Sequence, residues 1–448
     1  MLTPAQAQDR ATALIDHARR AGADAADAIY AGHSSEAVQV RLGALEDVER
    51  SESEHLDLRV FVGNRSASIG TSDLSDDALI ELAARSVAMA KLAPEDRFAG
   101  LAPDERLLRG PLPDLDLTDP VELGPHALRE LALAAEDAAR AVPGITNSEG
   151  GSAAAGARSV ALVTSHGFAG AYGGTSRQVS ATVITGEGSG MQRDYAWRSA
   201  HHLADLPSPE EIGRQAGERA MARLNPGRVK GGVMPVVFDP RVGGSLIGHL
   251  TGAISGSAIA RRSSFLLGKD GEQIFAPGIT IVDDPLRPRA LGARPFDGEG
   301  LPTARRELVS DGRLTGWLMD SASARQLGLE PTGHAARGAG GAPGVGASVL
   351  HLEPGLASVA DLIADIEEGV LVTELIGHGV NPVTGDYSRG ASGLRIVNGE
   401  VAGPVAEFTV AGNLIDMFAA LRAANDIEWY RSVNVPTIRI DGMTVAGD

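Results

Sequence analysis

Residues 243–270 read GGSLIGHLTGAISGSAIARRSSFLLGKD, and this stretch decides how the C-terminal half of the chain is organised. Glycine recurs in it at every fourth position, which places the glycines on one side of a predicted helix. Each glycine costs a helix about 1 kcal/mol relative to alanine, so the row indicates that another backbone or a bound peptide approaches closely. A short helix inside a glycine-rich loop is the alternative. The row consists of Gly244, Gly248, Gly252 and Gly256.

Strand-like segments surround this predicted helix. Apolar and β-branched residues fill 233–238 before it and 279–282 after it. Asp311-Gly312 and Asn398-Gly399 are dipeptides that favour two-residue hairpin turns. We therefore predict hairpins over 307–314 and 394–401, amphipathic helices over 359–368 and 413–424, and an irregular surface loop over the glycine-rich residues 333–346.

The N-terminal half contains one order of predicted elements twice. Thr3, Pro4 and Gln6 predict a helix that begins with a capping box. The repeated order indicates a duplication, with an added hairpin through 193–202 in the second copy. The first copy consists of that helix, strand-like runs at 37–42, 56–62 and 67–71, and a helix at 78–92. The second consists of a helix at 125–142, strand-like runs at 159–164, 167–172 and 178–185, and a helix at 209–224.

These patterns predict an α+β protein with a duplicated helix–strands–helix N-terminal region followed by a strand-rich C-terminal domain with a few helices. A length of 448 residues is enough for about three domains. We place an N-terminal α+β domain at 1–93, a central α+β domain at 125–226 and a β-rich domain at 227–448. Residues 94–124 are rich in proline and aspartate without periodicity and are predicted to be a linker.

Composition excludes several classes of function. The net charge of −18 argues against sequence-independent binding of DNA or RNA, which needs a cationic surface. The sequence has no cysteine, which excludes disulfides, a cysteine nucleophile and thiolate metal ligands. The longest weakly polar run, at 245–260, is too short and too rich in glycine and serine to cross a membrane. We expect a cytoplasmic protein without a signal peptide.

Polar residues are most concentrated in 373–392, TELIGHGVNPVTGDYSRGAS, which we interpret as a strand end and the following loop. Loops at strand ends are frequent binding sites, although a solvated loop with simple turns explains the same pattern. A metal site could combine His378 and Asp386 with His249 or His334, but their spacing does not favour one. The candidate residues are Glu374, His378, Asn381, Asp386, Tyr387 and Arg389.

Two pairs of carboxylates lie close in sequence. Asp283-Asp284 and Asp297-Gly298-Glu299 could in principle form the acid and base of a glycosidase. Aspartate next to glycine is also the ordinary composition of a turn, which is the interpretation we prefer.

Several long motifs, in order along the chain, resemble the TldD/PmbA family of metalloprotease subunits, and more closely its TldE (PmbA) branch. The resemblance is strongest over the last 220 or so residues, while the order of domains is similar throughout. The motifs are SSFLLGKDGEQIF at 263–275, ARPFDGEG at 293–300, VTELIGHGVNPVTGDYSRGASG at 372–393, NGEVAGPVAEFTVAGNLIDMF at 398–418 and MTVAG at 443–447.

The resemblance implies that the catalytic branch carries a His-Glu-x-x-x-His zinc motif on the segment that matches the glycine-rich helix, with a cysteine near the C-terminus as third ligand. In this sequence the two histidine positions are Gly248 and Ala253, and the glutamate position is His249. The cysteine has no counterpart. We therefore expect no catalytic residue, no metal ligand and no cofactor in this chain, with zinc held by a partner subunit.

The function implied by the resemblance is that of a TldE-like subunit in a heterodimeric zinc metallopeptidase that matures or degrades peptides. Its partners would be a TldD-like catalytic chain and an unfolded or extended peptide, and a homodimer could form in isolation. One alternative is a self-sufficient hydrolase that uses the 374–389 loop. Another is a non-proteolytic binding protein such as a gyrase modulator. The residues expected to contact peptide or partner are the four glycines of the row and the six candidates of the 373–392 segment.

Overall fold

A computed structural model describes residues 1–338 and 341–447. The N-terminal half is built from long antiparallel strands covered by helices. Its elements are α1 Pro4–Arg20, β1 Ala25–Arg41, β2 Ala44–Val62, β3 Arg65–Thr71, α2 Asp76–Leu92, α3 Pro125–Arg140, β4 Ile145–Thr164, β5 Ala169–Thr185, β6 Gln192–Ala200 and α4 Pro209–Ala222.

Local sequence chemistry sets where these helices begin. The Thr3 side chain accepts a hydrogen bond from the Gln6 amide, and the Gln6 side chain reaches back to the Thr3 amide, so the predicted capping box starts α1. Ser75 caps α2 by accepting a hydrogen bond from the Ala78 amide. Both caps satisfy backbone N–H groups that a helix start leaves without intrahelical partners.

The strands of both predicted repeats belong to one six-stranded sheet in the order β3-β2-β1-β4-β5-β6. The repeats join at the antiparallel pair β1–β4, in which Asp27 faces Thr164 and Val40 faces Gly151. The predicted runs 167–172 and 178–185 are one continuous strand, β5, because its pairing with β4 extends from Ala169 to Thr185. The predicted hairpin at 193–202 is likewise a single edge strand, β6.

Each half of the sheet carries its own pair of helices. Helices α1 and α2 bury Leu14 and Leu79 against Leu58 of β2. Helices α3 and α4 bury Leu128 and Ile212 in a separate cluster over β4 and β5. The predicted helix–strands–helix duplication is therefore observed as two similar layers on one shared sheet.

The C-terminal half contains most of the short elements. They are β7 Gly232–Phe238, α5 Pro240–Ala253, α6 Gly256–Ala260, β8 Ile281–Asp283, β9 Arg306–Ser310, β10 Arg313–Leu314, α7 Ser321–Leu327, β11 Ala335–Ala336, β12 Gly344–Val345, β13 Leu350–Leu352, α8 Val359–Ile363, β14 Glu368–Ile376, β15 Asp386–Val397, β16 Glu400–Asn413, α9 Leu414–Ala419, β17 Leu421–Ala423, β18 Val433–Asn434 and β19 Ile438–Ala446.

Two larger sheets organise these elements. One has the order β16-β15-β14-β7-β19-β17, and an additional β16–β19 pairing curls it back on itself. The other has the order β10-β9-β8-β13-β18. Both predicted hairpins are present, with Asp311, Gly312, Asn398 and Gly399 all at positive φ, as a type I′ turn requires.

Two predicted helices are shorter than expected. The prediction over 359–368 is wrong beyond Ile363, because strand β14 begins at Glu368, where it pairs antiparallel with β15, and it pairs in parallel with β7 from Val370. The prediction over 413–424 is wrong beyond Ala419, because β17 pairs with β19 instead. In both places a partner strand that is distant in sequence overrides the local helical pattern.

The prediction of an irregular surface loop at 333–346 is also wrong in part. Residues Ala335–Ala336 pair with Gly344–Val345, and Gly333, His334 and Ala335 are buried. Gly333 has φ 73°, and a Cβ there would lie 2.5 Å from the Pro302 carbonyl oxygen, so only glycine allows this close approach. Residues 339 and 340 of this segment lie outside the described residues.

The segment predicted as a linker, 94–124, packs between the two halves. The Arg325 guanidinium of α7 donates hydrogen bonds to the carbonyl oxygens of Phe98, Gly100 and Leu101 at 2.8–3.0 Å. Further along, Leu115 and Leu117 are buried with Ala293 and Val349. The segment thus ties the N-terminal sheet to the C-terminal half despite having little regular structure.

A cluster of four buried charges also joins the two halves. Asp27 of β1 binds Arg59 of β2 and Arg337, and Arg59 lies 3.8 Å from Glu299. Burial alone would raise the pKa of Asp27, but the two arginines outweigh it and hold this pKa below its usual range. We call Asp27, Arg59, Glu299 and Arg337 the interdomain ion cluster.

None of the helices in the described part of the chain is long and apolar enough to cross a membrane.

Candidate functional site

Helix α5 carries most of the glycine row identified in the sequence, and it begins immediately after strand β7. The strand ends at Phe238, Asp239 caps the helix by accepting a hydrogen bond from the Arg241 amide at 2.8 Å, and Pro240 occupies its first turn. The apolar side, with Leu246, Ile247 and Leu250, is fully buried against the curled sheet.

The glycine row does not lie on one helix as predicted. Helix α5 ends at Ala253, and Gly256 begins the separate helix α6, because residues 254–255 leave the helix to bridge Leu318. A Cβ on Gly256 would lie 2.4 Å from the Met319 sulfur, whereas one on Gly244 would make only ordinary contact with Val433. These two glycines therefore belong to internal packing.

Gly248 and Gly252 are different, because both are exposed. Within the residues that the structure describes, nothing lies within 4 Å of a Cβ placed on either one. The middle of α5 thus presents a strip of bare backbone to open space. Helix propensity would favour alanine at both positions, so the strip is not explained by packing inside this chain.

His249 lies beside this strip and faces the curled sheet. Its ring meets the Tyr387 ring edge-to-face at a centroid distance of 6.2 Å. Tyr387 and Arg389 are two residues apart on β15, so their side chains lie on the same face of the strand. The structure therefore brings together His249 from the helix and two of the candidates from 373–392. We call His249, Tyr387 and Arg389 the polar trio.

The polar trio contains buried atoms that lack hydrogen bonds. They are Nε2 of His249, the Tyr387 hydroxyl and Nε of Arg389, none of which has a hydrogen-bond partner among residues 1–338 and 341–447. Tyr387 is only 2% exposed. Such a group loses the solvation it had in water and gains nothing in return, at a cost of roughly 1–3 kcal/mol.

The environment of the polar trio is cationic. Burial lowers the pKa of His249, and the nearby Arg389 guanidinium lowers it further, so the imidazole is held neutral. Burial raises the pKa of Tyr387 to about 12, while Arg389 opposes that shift. Among the described residues, no carboxylate contributes to either shift.

The other candidates from 373–392 have structural partners or lie in solvent. Glu374 is the partner of Arg223 at 2.5 Å, and Asn381 accepts hydrogen bonds from the Val383 and Thr384 amides within a turn. Hydrogen bonds from Thr384 and Asn413 lower the pKa of Asp386, and His378 is exposed. The loop itself is shorter than predicted, because β15 already begins at Asp386.

The alternative metal site does not form in the described residues, and Asp283 and Asp297, considered for a glycosidase, are held by backbone amides. No three His, Asp or Glu side chains come together there in a group that could hold a metal ion. Asp283 accepts hydrogen bonds from the Ser348 and Val349 amides, and Asp297 accepts them from the Glu299 and Leu301 amides. Asp297 thus shapes a turn, as preferred from the sequence, but the turn interpretation is wrong for Asp283, which is the last residue of β8 and binds amides that are distant in sequence.

Zinc does not fit the positions that the resemblance assigns to it. Gly248 offers no side chain, Ala253 offers a buried methyl group, and His249 alone cannot supply the three or four ligands that zinc takes. His249 also faces Tyr387 and Arg389, and the cation of Arg389 would repel a metal ion.

Sequence reasoning missed two features of this region. It did not place Tyr387 and Arg389 on a strand, although their i, i+2 spacing is the signal that puts two side chains on one face. It also missed the interdomain ion cluster, for which no local signal exists, since Asp27 and Arg337 are 310 residues apart.

Comparison with known proteins gives consistent matches along the chain. The PmbA/TldA metallopeptidase family matches as domain 1 over residues 26–90, as the central domain over 111–224 and as the C-terminal domain over 231–447. The Metalloprotease PmbA of Escherichia coli O157:H7 is 37% identical over 426 residues, covering 95% of this chain and 92% of that protein. The PmbA homolog of Haemophilus influenzae is 35% identical over 453 residues, covering 100% and 98%.

The fold is shared with solved structures. A Bacteroides thetaiotaomicron protein described as a candidate modulator of DNA gyrase superposes with a TM-score of 0.91 at 30% identity, with 100% of both chains covered. TldE from Thermococcus kodakarensis superposes with a TM-score of 0.86 at 24% identity over 98% of this chain and 100% of that one, which supports the fold alone. The TldD homolog of Haemophilus influenzae is 27% identical over 252 residues, or 52% of each chain. The chain belongs to the PmbA/TldD metallopeptidase family, within its PmbA branch.

Proposed function

We propose that this chain is the zinc-free subunit of a cytoplasmic heterodimeric peptidase, and that a TldD-like chain supplies the metal. The observation that carries the proposal is helix α5, which has Gly248, His249 and Ala253 at the positions that the resemblance assigns to the zinc motif. The family as a whole is one of metallopeptidases, so a member without zinc ligands would contribute through a partner that has them.

The contribution of this chain would be to hold an extended peptide substrate near the partner's metal. The bare strip at Gly248 and Gly252 supports this role, because backbone without side chains allows another chain to approach closely. The net charge of −18 disfavours a role on DNA itself.

Co-expression with a TldD-like chain tests the proposal. We expect the two chains to co-purify at equal stoichiometry, with zinc and cleavage of unfolded peptides present in the complex and absent from this chain alone. The control is a partner in which the glutamate of the His-Glu-x-x-x-His motif is replaced by glutamine. That complex should assemble and remain inactive.

Two results would overturn the proposal. Stoichiometric zinc together with peptide cleavage by the isolated chain would indicate a self-sufficient hydrolase. Recovery of gyrase without any TldD-like chain in a pull-down would indicate a regulatory binding protein.

A further inference from the structure

The polar trio contains three buried polar atoms without a hydrogen-bond partner of good geometry among the described residues, although the Arg389 guanidinium lies near enough to the Tyr387 hydroxyl to oppose the rise in its pKa. The Tyr387 hydroxyl, Nε2 of His249 and Nε of Arg389 are buried, and within the described residues they have no hydrogen-bond partner. Three such atoms in one place would be a large cost to fold stability if they served only packing. Two nitrogens of Arg337 in the interdomain ion cluster also lack partners, but that guanidinium is paired with Asp27, so the trio differs in having no counter-charge for a bound group to replace.

The charge of the trio determines what that group is. Arg389 forms no ion pair with any carboxylate in the part of the chain that is described, although the protein as a whole carries 58 acidic residues. His249 is neutral and can donate one N–H, and Tyr387 can donate its O–H. A guanidinium cation beside two neutral hydrogen-bond donors matches an anion that can accept several hydrogen bonds.

The open space beside the trio indicates the side from which an anion could approach it. Gly248 and Gly252 flank His249 on α5, and both open to empty space. Gly244 and Gly256, at the two ends of the row, contact Val433 and Met319 instead. The accessible strip is therefore confined to the part of the helix that adjoins the trio.

We propose that His249, Tyr387 and Arg389 bind a carboxylate of a peptide that lies along the bare strip of α5. This inference rests on the proposed function, which supplies the peptide. Guanidinium matches a carboxylate through two parallel N–H···O bonds, and the remaining oxygen lone pairs accept from the tyrosine and the imidazole. The carboxylate can belong to the C-terminus of the peptide or to an acidic side chain.

The test measures direct binding of peptides to the purified full-length chain by fluorescence anisotropy. One labelled, unstructured peptide is prepared as the C-terminal acid, as the C-terminal amide, and as the amide with one internal aspartate. We expect at least about tenfold tighter binding of the acid than of the amide, since hydrogen bonds to a charged group contribute about 1.5–3 kcal/mol.

The third peptide separates the two sources of the carboxylate. Tight binding of the acid alone assigns the site to peptide C-termini, and tight binding of the aspartate-containing amide assigns it to acidic side chains. Equal affinity for all three peptides overturns the inference.

Variants of the trio test whether these residues carry the preference. Arg389→Gln should abolish the preference for the acid, and Tyr387→Phe should weaken acid binding several-fold. The control is Arg395→Gln, because Arg395 lies on the same strand but pairs with the exposed Glu368 at 2.8 Å. That variant should retain the full preference.

A stability readout keeps the test decisive. Removing a buried hydroxyl that lacks a partner should leave the melting temperature of Tyr387→Phe unchanged or raised, so reduced binding cannot be attributed to misfolding. If Tyr387→Phe and Arg389→Gln fold normally and still prefer the acid, the inference is wrong. Failure of this inference leaves co-purification and zinc content unaffected, so it is distinguishable from failure of the proposed function.

Discussion

The interdomain ion cluster and the polar trio both contain buried polar atoms that lack hydrogen-bond partners among the described residues, but they differ in whether their charges are paired. In the ion cluster, Asp27 contacts two arginines and Arg59 also approaches Glu299, so each charge has an opposite charge beside it. In the trio, the only charged side chain is Arg389, and it forms no ion pair with a carboxylate among the described residues.

This difference separates a structural role from a binding role. A buried charge with its partner in place holds two halves of a fold in one arrangement, and removal of one partner is strongly destabilising. A buried donor without a partner is a cost that a ligand can recover. The comparison therefore predicts opposite responses to substitution at the two places.

The largest effect is expected at Asp27. Asp27→Asn would leave Arg59 and Arg337 buried without their counter-charge, and we expect the free energy of unfolding to fall by about 3–5 kcal/mol in urea denaturation. Glu368→Ala is the matched control, because it breaks an exposed pair with Arg395 and should cost less than about 1 kcal/mol. Equal losses in the two variants would contradict a structural role for the ion cluster.

Asp297 adds a pH dependence to the same region. Burial and, next, the neighbouring Glu299 raise its pKa to about 7. Because the folded state keeps this proton while the unfolded state releases it near pH 4, the contribution of Asp297 to stability is full below about pH 4. It is lost as the pH rises to about 7, at up to about 1.4 kcal/mol per pH unit.

Comparison with Asp297→Asn isolates this dependence from that of other groups. Asparagine cannot titrate, so the difference in unfolding free energy between the two proteins should change steadily between about pH 4 and pH 7. Asp297 also accepts a hydrogen bond from the Ala335 N–H. The NH2 group of asparagine could not accept this bond, and its loss would change the unfolding free energy by an amount independent of pH. A constant difference across this range would show that Asp297 is ionised in the folded protein.

Glycine-to-alanine substitutions sharpen the comparison at the row itself. Gly256→Ala should destabilise the fold by about 1–3 kcal/mol, because the new methyl group would overlap Met319 and Ser323. Gly252→Ala enters open space and should stabilise α5 by up to about 1 kcal/mol. Thermal unfolding of both variants measures the difference, and a loss at Gly252 would mean that the strip is packed after all.

The smallest effects are expected at two buried tyrosines. The Tyr30 hydroxyl donates to Glu54 at 2.5 Å and accepts from the Leu2 amide at 3.0 Å, so Tyr30→Phe should cost about 1–2 kcal/mol. Tyr387→Phe should cost nothing. If the two variants lose equal stability in denaturant, the Tyr387 hydroxyl has a partner and the contrast between the regions fails.

The sequence predicted those parts of the fold that short-range chemistry decides. The Thr3–Gln6 capping box and the Asp311-Gly312 and Asn398-Gly399 turns are confirmed, because the conformations that they favour need no distant residue. Helix predictions failed at 421–423, where a strand pairs with β19. The partner of these residues is decided by the long-range order of strands in the sheet, which a short stretch of sequence does not reveal.

The residues of the candidate site could be predicted from the sequence, but the contacts between them could not. His249, Tyr387 and Arg389 were each singled out, but their contact depends on α5 lying across β15, more than 130 residues later in the chain. The row of glycines was visible as a pattern. Its division into packed ends and an exposed middle depends on Val433 and Met319, which only the folded structure brings near.

The β1–β4 joint has a consequence for synthesis of the protein. Strand β1 is complete at Arg41, but its partner β4 ends at Thr164, so a nascent chain presents a long unsatisfied strand edge until that residue has left the ribosome. At ordinary rates of translation the interval is on the order of ten seconds. An exposed strand edge of this length is a template for aggregation, and a fragment that stops before β4 should accumulate as insoluble material.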